Sequence, residues 1–392
     1  MRSLTIIFWI LIAAATNVFS QSSIDSILSG LVKNNTTLSA LRKQLDAEKI
    51  GNKTGNYPQN PEVEFNYLWG SPQVIGNRTD LKIIQQFDFP SAYSYRNQIS
   101  NLRNIQTELE YKKEYILILL KARLLCIDLI YTNSLRNELK TRIADARSVA
   151  DAYKSKFNAG DVGILEYNKA QLALLKLSNE SEILEIEKNT MVSELIGLNG
   201  GISIDFAETV IIAPALPDDF EQWYLKAELN NPLLDWLKKE VILRTKQEKL
   251  STSLSLPKLQ GGYMSETVVG EQFKGVTVGL SIPLWENRNE IKYAKARTIA
   301  VQSAEYDAKL QFYNKLKSLH LKAVNLQNNI VDYRGKLQIF SNSQLLKKAL
   351  DTGEISLIDY IYELTLYYES VNRLMVLERD LNRTVSELNQ YQ

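Results

Sequence analysis

The sequence predicts a mostly α-helical fold with some β-structure, built from two collinear repeats that each contain a β-hairpin and a long coiled-coil helical hairpin. Three observations predict this fold. Short motifs recur in the same order, at offsets of 192 to 196 residues. Two pairs of segments alternate apolar and polar residues, as half-buried strands do. Long segments after each pair carry apolar residues at spacings of three and four, which is typical of paired helices.

The internal repeat rests on five matched places along the chain. The clearest is the Asn-Asn pair at 34–35, which recurs at 230–231 before an apolar run. The matched segments are 34–38 with 230–234, Pro61 with Pro257, 87–90 with 280–283, 96–99 with 288–291, and 156–160 with 349–353. One chance match would mean little, but five in the same order indicate duplication. We therefore predict a first repeat over 21–199, a linker over 200–219 and a second repeat over 220–392.

Each repeat is expected to contain two strands that have one apolar and one polar face. The predicted strands span about 61–70 and 81–90 in the first repeat, and about 257–267 and 275–284 in the second. Val63, Phe65 and Tyr67 alternate with polar residues in the first of these strands. Gln85 interrupts the apolar set of the second, and the third strand is weakened by two glycines at 261–262.

The helices that follow the hairpins are expected at about 96–157 and 161–198, and at about 288–350 and 354–390. Their apolar positions repeat every 3.5 residues, which requires a facing helix because each apolar side chain needs a complementary hole. Arg142 stands within this apolar pattern in the first repeat. The segment 96–157 would extend roughly 90 Å as a helix. No compact domain needs a helix of this length.

Composition excludes several classes of protein. Lys and Arg number 46 and Asp and Glu 45, so the net charge of +1 offers no basic field for nucleic acid. The single histidine, His320, and the single cysteine, Cys126, give no catalytic or metal-binding cluster. No glycine-rich phosphate loop or Ser-His-Asp arrangement is found. We therefore expect no enzyme activity, no metal site and no cofactor.

The N-terminus reads as an export signal over 1–20. Arg2 precedes an apolar run, and Val18, Phe19 and Ser20 resemble a cleavage site. A second apolar stretch, 115–131, contains Lys121 and two other charged residues. Because these charges oppose membrane insertion, we expect that stretch to form a helix packed against protein.

The four amphipathic strands lie beside aromatic residues, as in a lipid-facing β-barrel. Four strands are too few to close a barrel, for which about eight is the smallest ordinary number. Open edges are not tolerated in hydrocarbon, so several copies would have to share one barrel. Two copies would give eight strands and three would give twelve, and the residues alone do not choose between them. A non-conducting periplasmic coiled-coil scaffold or stalk is the alternative reading.

Taken together, the collinear halves, the Asn-Asn-Pro-Leu start at 230–233, the strands that end in proline and the glycine-centred helix turns resemble the TolC family of outer-membrane efflux proteins. The resemblance covers nearly the whole chain. It implies a homotrimer with a twelve-stranded barrel in outer-membrane lipid, continuous with a periplasmic barrel of twelve helices. It also implies a periplasmic adaptor and an inner-membrane pump as partners. Substrates would then be conducted passively, and the sequence leaves open whether they are drugs, metal ions or polypeptides.

Glycines at the predicted helix reversals suit a turn with positive φ. The resemblance implies that these reversals are the tips that dock the adaptor. The tip residues are Phe157, Asn158, Ala159, Gly160 and Asp161 in the first repeat, and Leu350, Asp351, Thr352, Gly353 and Glu354 in the second.

The resemblance also implies a gate of acidic residues just beyond the second tip. Asp359 matches the first acidic position of the family, whereas Tyr362 stands where the family has its second acid. This departure suggests an acid ring backed by an aromatic ring. Glu166 is the equivalent position in the first repeat. A solvated carboxylate on a helix face is the alternative role for Asp359.

Overall fold

The computed structural model describes residues 23–210, 215–340 and 343–392, and the side chain of Ser343 is outside this description. The predicted export signal at 1–20 therefore lies outside the described residues, as does part of the predicted linker. The described chain is mostly helical with one small antiparallel sheet. This agrees with the predicted fold class.

The helices and strands follow one another in nearly the same order in both halves of the chain. In the first half they are α1 (23–34), α2 (Thr36–Gly51), β1 (Glu62–Leu68), β2 (Arg78–Phe87), α3 (Pro90–Ala159) and α4 (Ile164–Leu198). In the second half they are α5 (Phe220–Asn230), α6 (Pro232–Leu254), β3 (Lys258–Val268), β4 (Glu271–Ser281), α7 (Glu290–Ile339), α8 (Ser343–Thr352) and α9 (Leu357–Leu388).

The repeated Asn-Asn pair has the same structural role in both halves. Asn35 Oδ1 accepts a hydrogen bond from the N–H of Leu38 (2.7 Å) at the start of α2. Asn231 Oδ1 accepts from the N–H of Leu233 (2.9 Å) and caps α6. Asparagine is among the best helix N-caps because its side chain satisfies an otherwise unpaired backbone N–H.

The chain divides into two compact units. The helical unit comprises the described residues within Met1–Ser39, Glu114–Glu228 and Tyr313–Gln392, and the sheet unit comprises Ala40–Lys113 and Leu229–Phe312. Residues of both α3 and α7 belong to each unit.

The sheet unit contains one four-stranded antiparallel sheet of order β1-β2-β3-β4. The pairs β1–β2 and β3–β4 are hairpins, and β2 also pairs with β3, which joins the two halves of the chain. β2 begins at Arg78, three residues before the predicted start, and β4 begins at Glu271, four residues before. The β3–β4 turn is short because Val269 and Gly270 both adopt positive φ, as a two-residue hairpin turn requires.

The strand register places apolar residues from each of the four strands on one face, which we call the apolar sheet face. Val63 pairs with Ile83, Ile83 with Tyr263, and Tyr263 with Val276. A second row runs from Phe87 through Leu259 to Leu280. These side chains are 38–86% exposed, so the face is uncovered.

Two residues that interrupt the apolar pattern of the strands, Gln85 and Gly262, are explained by their local contacts. Gln85 lies beside Gly261 on the apolar sheet face, and its amide donates to the carbonyl oxygen of Gln59 (2.6 Å). Gly262 is fixed by close packing, since a Cβ there would lie 2.2 Å from the carbonyl oxygen of Ile83. Gly262, one of the two glycines that weaken the sequence pattern, thus permits close approach of two strands.

The helical unit has several separate hydrophobic clusters. In one, Leu28 and Leu31 of α1 pack with Ala122 and Cys126 of α3 and Leu195 of α4. The apolar stretch 115–131 contributes to this cluster, as the sequence analysis expected. No helix among the described residues has the length and apolar character to cross a membrane.

Helix α9 packs against α3, α4 and α7 of the helical unit. Leu377, Leu381 and Val385 of α9 form one hydrophobic cluster with Ala323 and Ile330 of α7. Met375 packs against a second cluster, formed by α3 and α4. Each of these helices supplies apolar residues at coiled-coil spacing, so the predicted pattern has facing helices.

Candidate functional site

The candidate site of the helical unit is the pair of turns at which long helices reverse. At the first turn, Gly160 adopts φ of 81° and its N–H donates to the carbonyl oxygen of Phe157 (3.1 Å). The next N–H, from Asp161, donates to the carbonyl oxygen of Lys156 (2.8 Å). These two bonds form a Schellman motif, which satisfies carbonyl groups at the end of α3.

The second turn has the same geometry. Gly353 adopts φ of 77°, and its N–H donates to the carbonyl oxygen of Leu350 (3.1 Å). The N–H of Glu354 donates to the carbonyl oxygen of Ala349 (2.8 Å). The two glycines that the sequence analysis matched therefore end α3 and α8 through identical hydrogen-bond patterns.

A shared core holds the two turns together. Ala150 of α3 and Ala170 of α4 are buried with Leu350 of α8 and with Leu357 and Tyr360 of α9. Leu350 is only 8% exposed, so this predicted docking residue belongs to the core. The other predicted tip residues are exposed. The exposed surface of both turns therefore consists mainly of small and polar residues.

The tip has one aromatic contact that the sequence analysis missed. Phe157, which is 36% exposed, stacks on Tyr167 with ring centroids 5.2 Å apart and planes 16° apart. Tyr167 lies ten residues further along the chain, in the first turns of α4, so neither helical nor strand spacing relates the two rings. The predicted glycine-centred reversal at Gly160 was the signal from which this contact could have been expected, because it brings the two helices side by side.

The candidate gate residue Asp359 takes part in the N-terminal cap of α9. Ser356 is the N-cap, and Asp359 is the third helical residue. The N–H of Asp359 donates to Ser356 Oγ (3.3 Å), and the N–H of Ser356 donates to Asp359 Oδ2 (3.4 Å). This is a capping box, which satisfies two backbone donors reciprocally. The carboxylate remains exposed in the single chain.

Of the other two candidate gate residues, Tyr362 lies on α9 with Asp359, and Glu166 occupies the equivalent position on α4. Tyr362 follows Asp359 by three residues on α9, and its side chain is 63% exposed. Glu166 is the third residue of α4, as Asp359 is of α9. Glu166 Oε2 is close to Gly163, the N-cap residue of α4: a Cβ added at Gly163 would lie 3.0 Å from this oxygen. Both acids therefore sit at a helix N-terminus, where the helix dipole favours negative charge.

Burial changes the acidity of tyrosines near the tip. Burial raises the pKa of Tyr360 to about 12, and the nearby Tyr368, Asp145 and Asp351 add to this rise. Burial also raises the pKa of Tyr153, and Glu166 adds to that effect. Within the described ranges, no group of three His, Cys, Asp or Glu residues is placed to hold a metal ion.

Comparison with known proteins places the fold. No protein-family model matches the sequence, and no curated protein matches it. The chain is similar to the CmeC outer membrane channel of Campylobacter jejuni, with a TM-score of 0.76 and 13% identity over 94% of this chain and 85% of CmeC. The outer membrane protein VceC from Vibrio cholerae gives a TM-score of 0.74 and 10% identity, over 94% of this chain and 95% of VceC.

A further similarity is to the open state of the MtrE outer membrane channel of Neisseria gonorrhoeae. Its TM-score is 0.72 and its identity 9%, over 94% of this chain and 88% of MtrE. These three proteins are outer-membrane proteins and none is described as an enzyme. The resemblance to the TolC family is thereby confirmed for the fold: this chain folds as outer-membrane channel proteins do.

Proposed function

We propose that this chain is the protomer of a homotrimeric outer-membrane channel in a tripartite efflux or type I secretion system. The observation that carries the proposal is the apolar sheet face, which is continuous across four strands and exposed in the single chain. A sheet with one apolar and one polar face suits a barrel wall between lipid and water.

The edges of the sheet support assembly of several copies. β1 and β4 form its two edges. An unpaired strand edge is not stable in hydrocarbon, because its N–H and C=O groups have no water to bind. Three copies would supply a twelve-stranded barrel in the outer membrane, as the resemblance implies, and edge-to-edge pairing of β4 with β1 of the next copy would close it.

An apolar stripe on α4 supports the same assembly in the helical unit. The stripe follows coiled-coil spacing at its first three positions, and its residues are 48–67% exposed. Its members are Leu165, Leu172, Leu175, Ile183 and Ile186. An apolar stripe of this kind is typical of a helix that packs against another protein surface. We propose that a second copy covers it, so that twelve helices surround a periplasmic passage.

Asp359 and Tyr362 are proposed to line the narrow end of this passage, with Glu166 at the equivalent position of α4. Three symmetry-related carboxylates near one axis would repel one another and attract cations. The exposure of Asp359 and Tyr362 in the single chain is compatible with this role. The capping box provides the competing explanation for the presence of Asp359, and the two can be separated by mutation.

The two turns are proposed to dock the periplasmic adaptor. Their exposed residues are Phe157, Asn158, Ala159, Gly160, Asp161, Asp351, Thr352, Gly353 and Glu354, with Leu350 beneath them. A photocrosslinking residue at Asn158 or Glu354 should capture the adaptor in cells, whereas one at the exposed Lys322 in the middle of α7 should not. Equal capture from all three positions would contradict docking at the turns.

In this proposal the duct conducts passively and the inner-membrane pump supplies the energy. The substrate class, whether drugs, metal ions or secreted polypeptides, would be set by the pump and adaptor. Identification of the adaptor and pump that co-purify with the protein would assign it.

The decisive experiment is extraction of the protein from outer membranes in detergent. We expect a heat-modifiable trimer that gives ion conductance in planar bilayers. A water-soluble rod without conductance would overturn the proposal and favour the periplasmic scaffold instead.

A further inference from the structure

Lys274 is the one charged residue on the apolar sheet face of the four described strands. It lies on β4, where it pairs with Ser265 of β3, which in turn pairs with Leu81 of β2. The other charged residues of these strands, such as Glu64 and Lys82, all lie on the opposite face, because side chains alternate along a strand. Lys274 is therefore an exception to the charge distribution of the sheet.

Lys274 has no acidic partner on its face. Its neighbours along and across the ladder are uncharged and include Gln272 and Ser265. Within the described part of the chain it makes no ion pair, whereas Arg78 on the opposite face is paired with Asp80 (2.8 Å). Because the side chain of Lys274 is exposed, its ammonium group can reach a partner outside the chain.

The row of side chains next to Lys274, on the side of the hairpin turns, is polar without being charged. We call it the polar row, and its members are Tyr67, Thr79, Thr267 and Gln272, one from each strand. In the other direction along β4, the face continues with the exposed apolar residues Val276, Val278 and Leu280. Lys274 therefore lies where the face changes from apolar to polar.

This position determines what a lysine on a lipid-facing surface costs. In the middle of the apolar band of a barrel a lysine is strongly unfavourable, whereas near either interface the cost almost disappears. From Lys274 to Leu280 the strand extends roughly 20 Å, and the exposed residues Ile282, Leu284 and Trp285 follow. Since the apolar band is about 25 Å tall, Lys274 lies at one edge of it. Its flexible stem then allows the ammonium group to reach the headgroups.

The direction of the chain assigns this edge to the outer leaflet. The hairpin turns at 69–77 and 269–270 lie beyond the polar row. Helix α3 begins at Pro90, directly after the other end of β2. In the proposed channel the long helices are periplasmic, so the turns face outwards. The inference therefore rests on the proposed function.

The groups beside Lys274 suit a headgroup that carries a phosphate on a sugar. Thr267 is its diagonal neighbour across the β3–β4 ladder, a separation of about 7–8 Å. A phosphate between the two residues can accept hydrogen bonds from Lys274 Nζ and from the hydroxyl group of Thr267. The hydroxyl groups of Thr79 and Tyr67 can both donate to and accept from the hydroxyl groups of a sugar.

We propose that Lys274 and the polar row bind the phosphorylated sugar headgroup of an outer-leaflet glycolipid such as lipid A. A headgroup phosphate lies between Lys274 Nζ and the hydroxyl group of Thr267. Each copy in the proposed trimer carries one such site on its lipid-facing side. The contact fixes the height of the sheet in the membrane.

The test is native mass spectrometry of the full-length protein, purified in detergent as a trimer and incubated with lipid A. Loss of a lysine beside an anionic headgroup should weaken binding roughly fivefold in Lys274→Gln. Lys274→Arg, which keeps the charge, should retain binding. Lys82→Gln is the matched control, since Lys82 lies on the opposite face of the sheet, and it should bind lipid A as the wild type does. Equal binding by the wild type and Lys274→Gln would overturn the proposal.

Three other ligands test the headgroup chemistry on the wild-type protein. Lipid A without its phosphates should bind roughly fivefold more weakly than lipid A. Phosphatidylglycerol, which has a phosphate but no sugar, should also bind more weakly, and millimolar inorganic phosphate should not displace lipid A. Undiminished binding of either comparison lipid, or displacement by inorganic phosphate, would overturn the proposal. These comparisons need no mutation, so they remain valid if a variant fails to assemble.

The same preparations separate this inference from the proposed function. Heat-modifiable trimers that conduct ions, but bind lipid A equally with and without the Lys274→Gln substitution, would overturn the lipid site alone. A water-soluble protein that does not conduct would overturn both.

Discussion

Ser356 donates its hydroxyl hydrogen to Asp359 Oδ2 at 2.5 Å, and the backbone N–H groups of both residues bond to the side chain of the other. The carboxylate that the family resemblance points to as a gate is thus also part of a helix cap. Removal of Asp359 would change two things together, the local stability of α9 and the charge beside the turn. A test of the gate must separate them.

Asp359→Asn should separate the two roles, because asparagine keeps a hydrogen-bonding side chain without the charge. In the proposed trimer, we expect this variant to raise single-channel conductance and weaken block by divalent cations in planar bilayers. The cause is the loss of three mutually repelling carboxylates that attract cations. Unchanged conductance and block would remove Asp359 from the gate.

Ser356→Ala is the matched control for Asp359→Asn. It removes the N-cap hydroxyl but leaves the carboxylate, so it should lower stability by about 0.5–2 kcal/mol. The cation block should stay as in the wild-type protein. A change of block in Ser356→Ala as large as in Asp359→Asn would mean that the cap, and not the charge, controls conductance.

Local patterns were sufficient to predict much of the fold. The alternation around Val63 and Val276 places these residues on one face, and the structure puts them in the same cross-strand row. The glycines at 160 and 353 were assigned to helix reversals, and both adopt positive φ there. These features follow from residue spacing and backbone sterics, which the sequence displays directly.

Other features depend on partners that are distant in the chain and could not be predicted. The pairing of Ile83 with Tyr263 joins the two hairpins across 180 residues, and no local pattern fixes it. The hydrogen bond from Arg142 Nη1 to Asn372 Oδ1 (2.9 Å) likewise joins residues that lie 230 positions apart. The start of β4 at Glu271 was missed because its first residues are polar and glycine-containing, which weakened the alternation.

The turn glycines should be sensitive to a side chain although nothing crowds them. Gly353 has positive φ, and an added Cβ would meet no atom within 4 Å. Gly353→Ala should therefore lower stability by roughly 1–2 kcal/mol through backbone strain alone. Thermal unfolding of the purified protein would measure this loss.

Gly335→Ala is the control for the turn variant. Gly335 lies inside α7 and also has open space around its Cα. Alanine is a better helix former than glycine, so this change should raise stability by about 0.5–1 kcal/mol. If both substitutions shifted the unfolding temperature in the same direction, the conformational explanation would be wrong.

The two faces of β4 should respond differently to a positive charge. Val276 lies on the apolar sheet face and is 86% exposed, whereas the adjacent Thr277 points to the opposite face. Val276→Lys should cost about 2–4 kcal/mol if that face contacts the middle of a lipid bilayer. We expect reduced recovery of heat-modifiable trimer from outer membranes, and near-normal recovery for Thr277→Lys. The reverse order would place the lipid on the other face.

The stripe on α4 should matter for assembly but not for folding of the single chain. Leu172 is 63% exposed, whereas Leu184 of the same helix is 6% exposed and buried in a cluster with Leu135 and Leu139. Leu172→Ser should reduce the trimeric fraction in detergent and leave helix content unchanged. Leu184→Ser should lower stability itself. Trimers of normal stability in Leu172→Ser would show that no second copy covers the stripe.

Tyr360 should make the stability of the helical unit depend on alkaline pH. Its pKa is raised by burial to about 12, against an ordinary value of 10.0, so the folded state favours the neutral phenol. The stabilisation is fully present below pH 10 and is lost as pH rises from 10 towards 12, because the unfolded state releases the proton first. Tyr360→Phe removes this ionisation. The unfolding temperature of the wild type should therefore fall more steeply than that of Tyr360→Phe between pH 9 and 11.

Tyr362→Phe, which changes an exposed ring on the same helix, is the matched control. Parallel pH profiles for the wild type and Tyr360→Phe would contradict the assigned burial of the phenol.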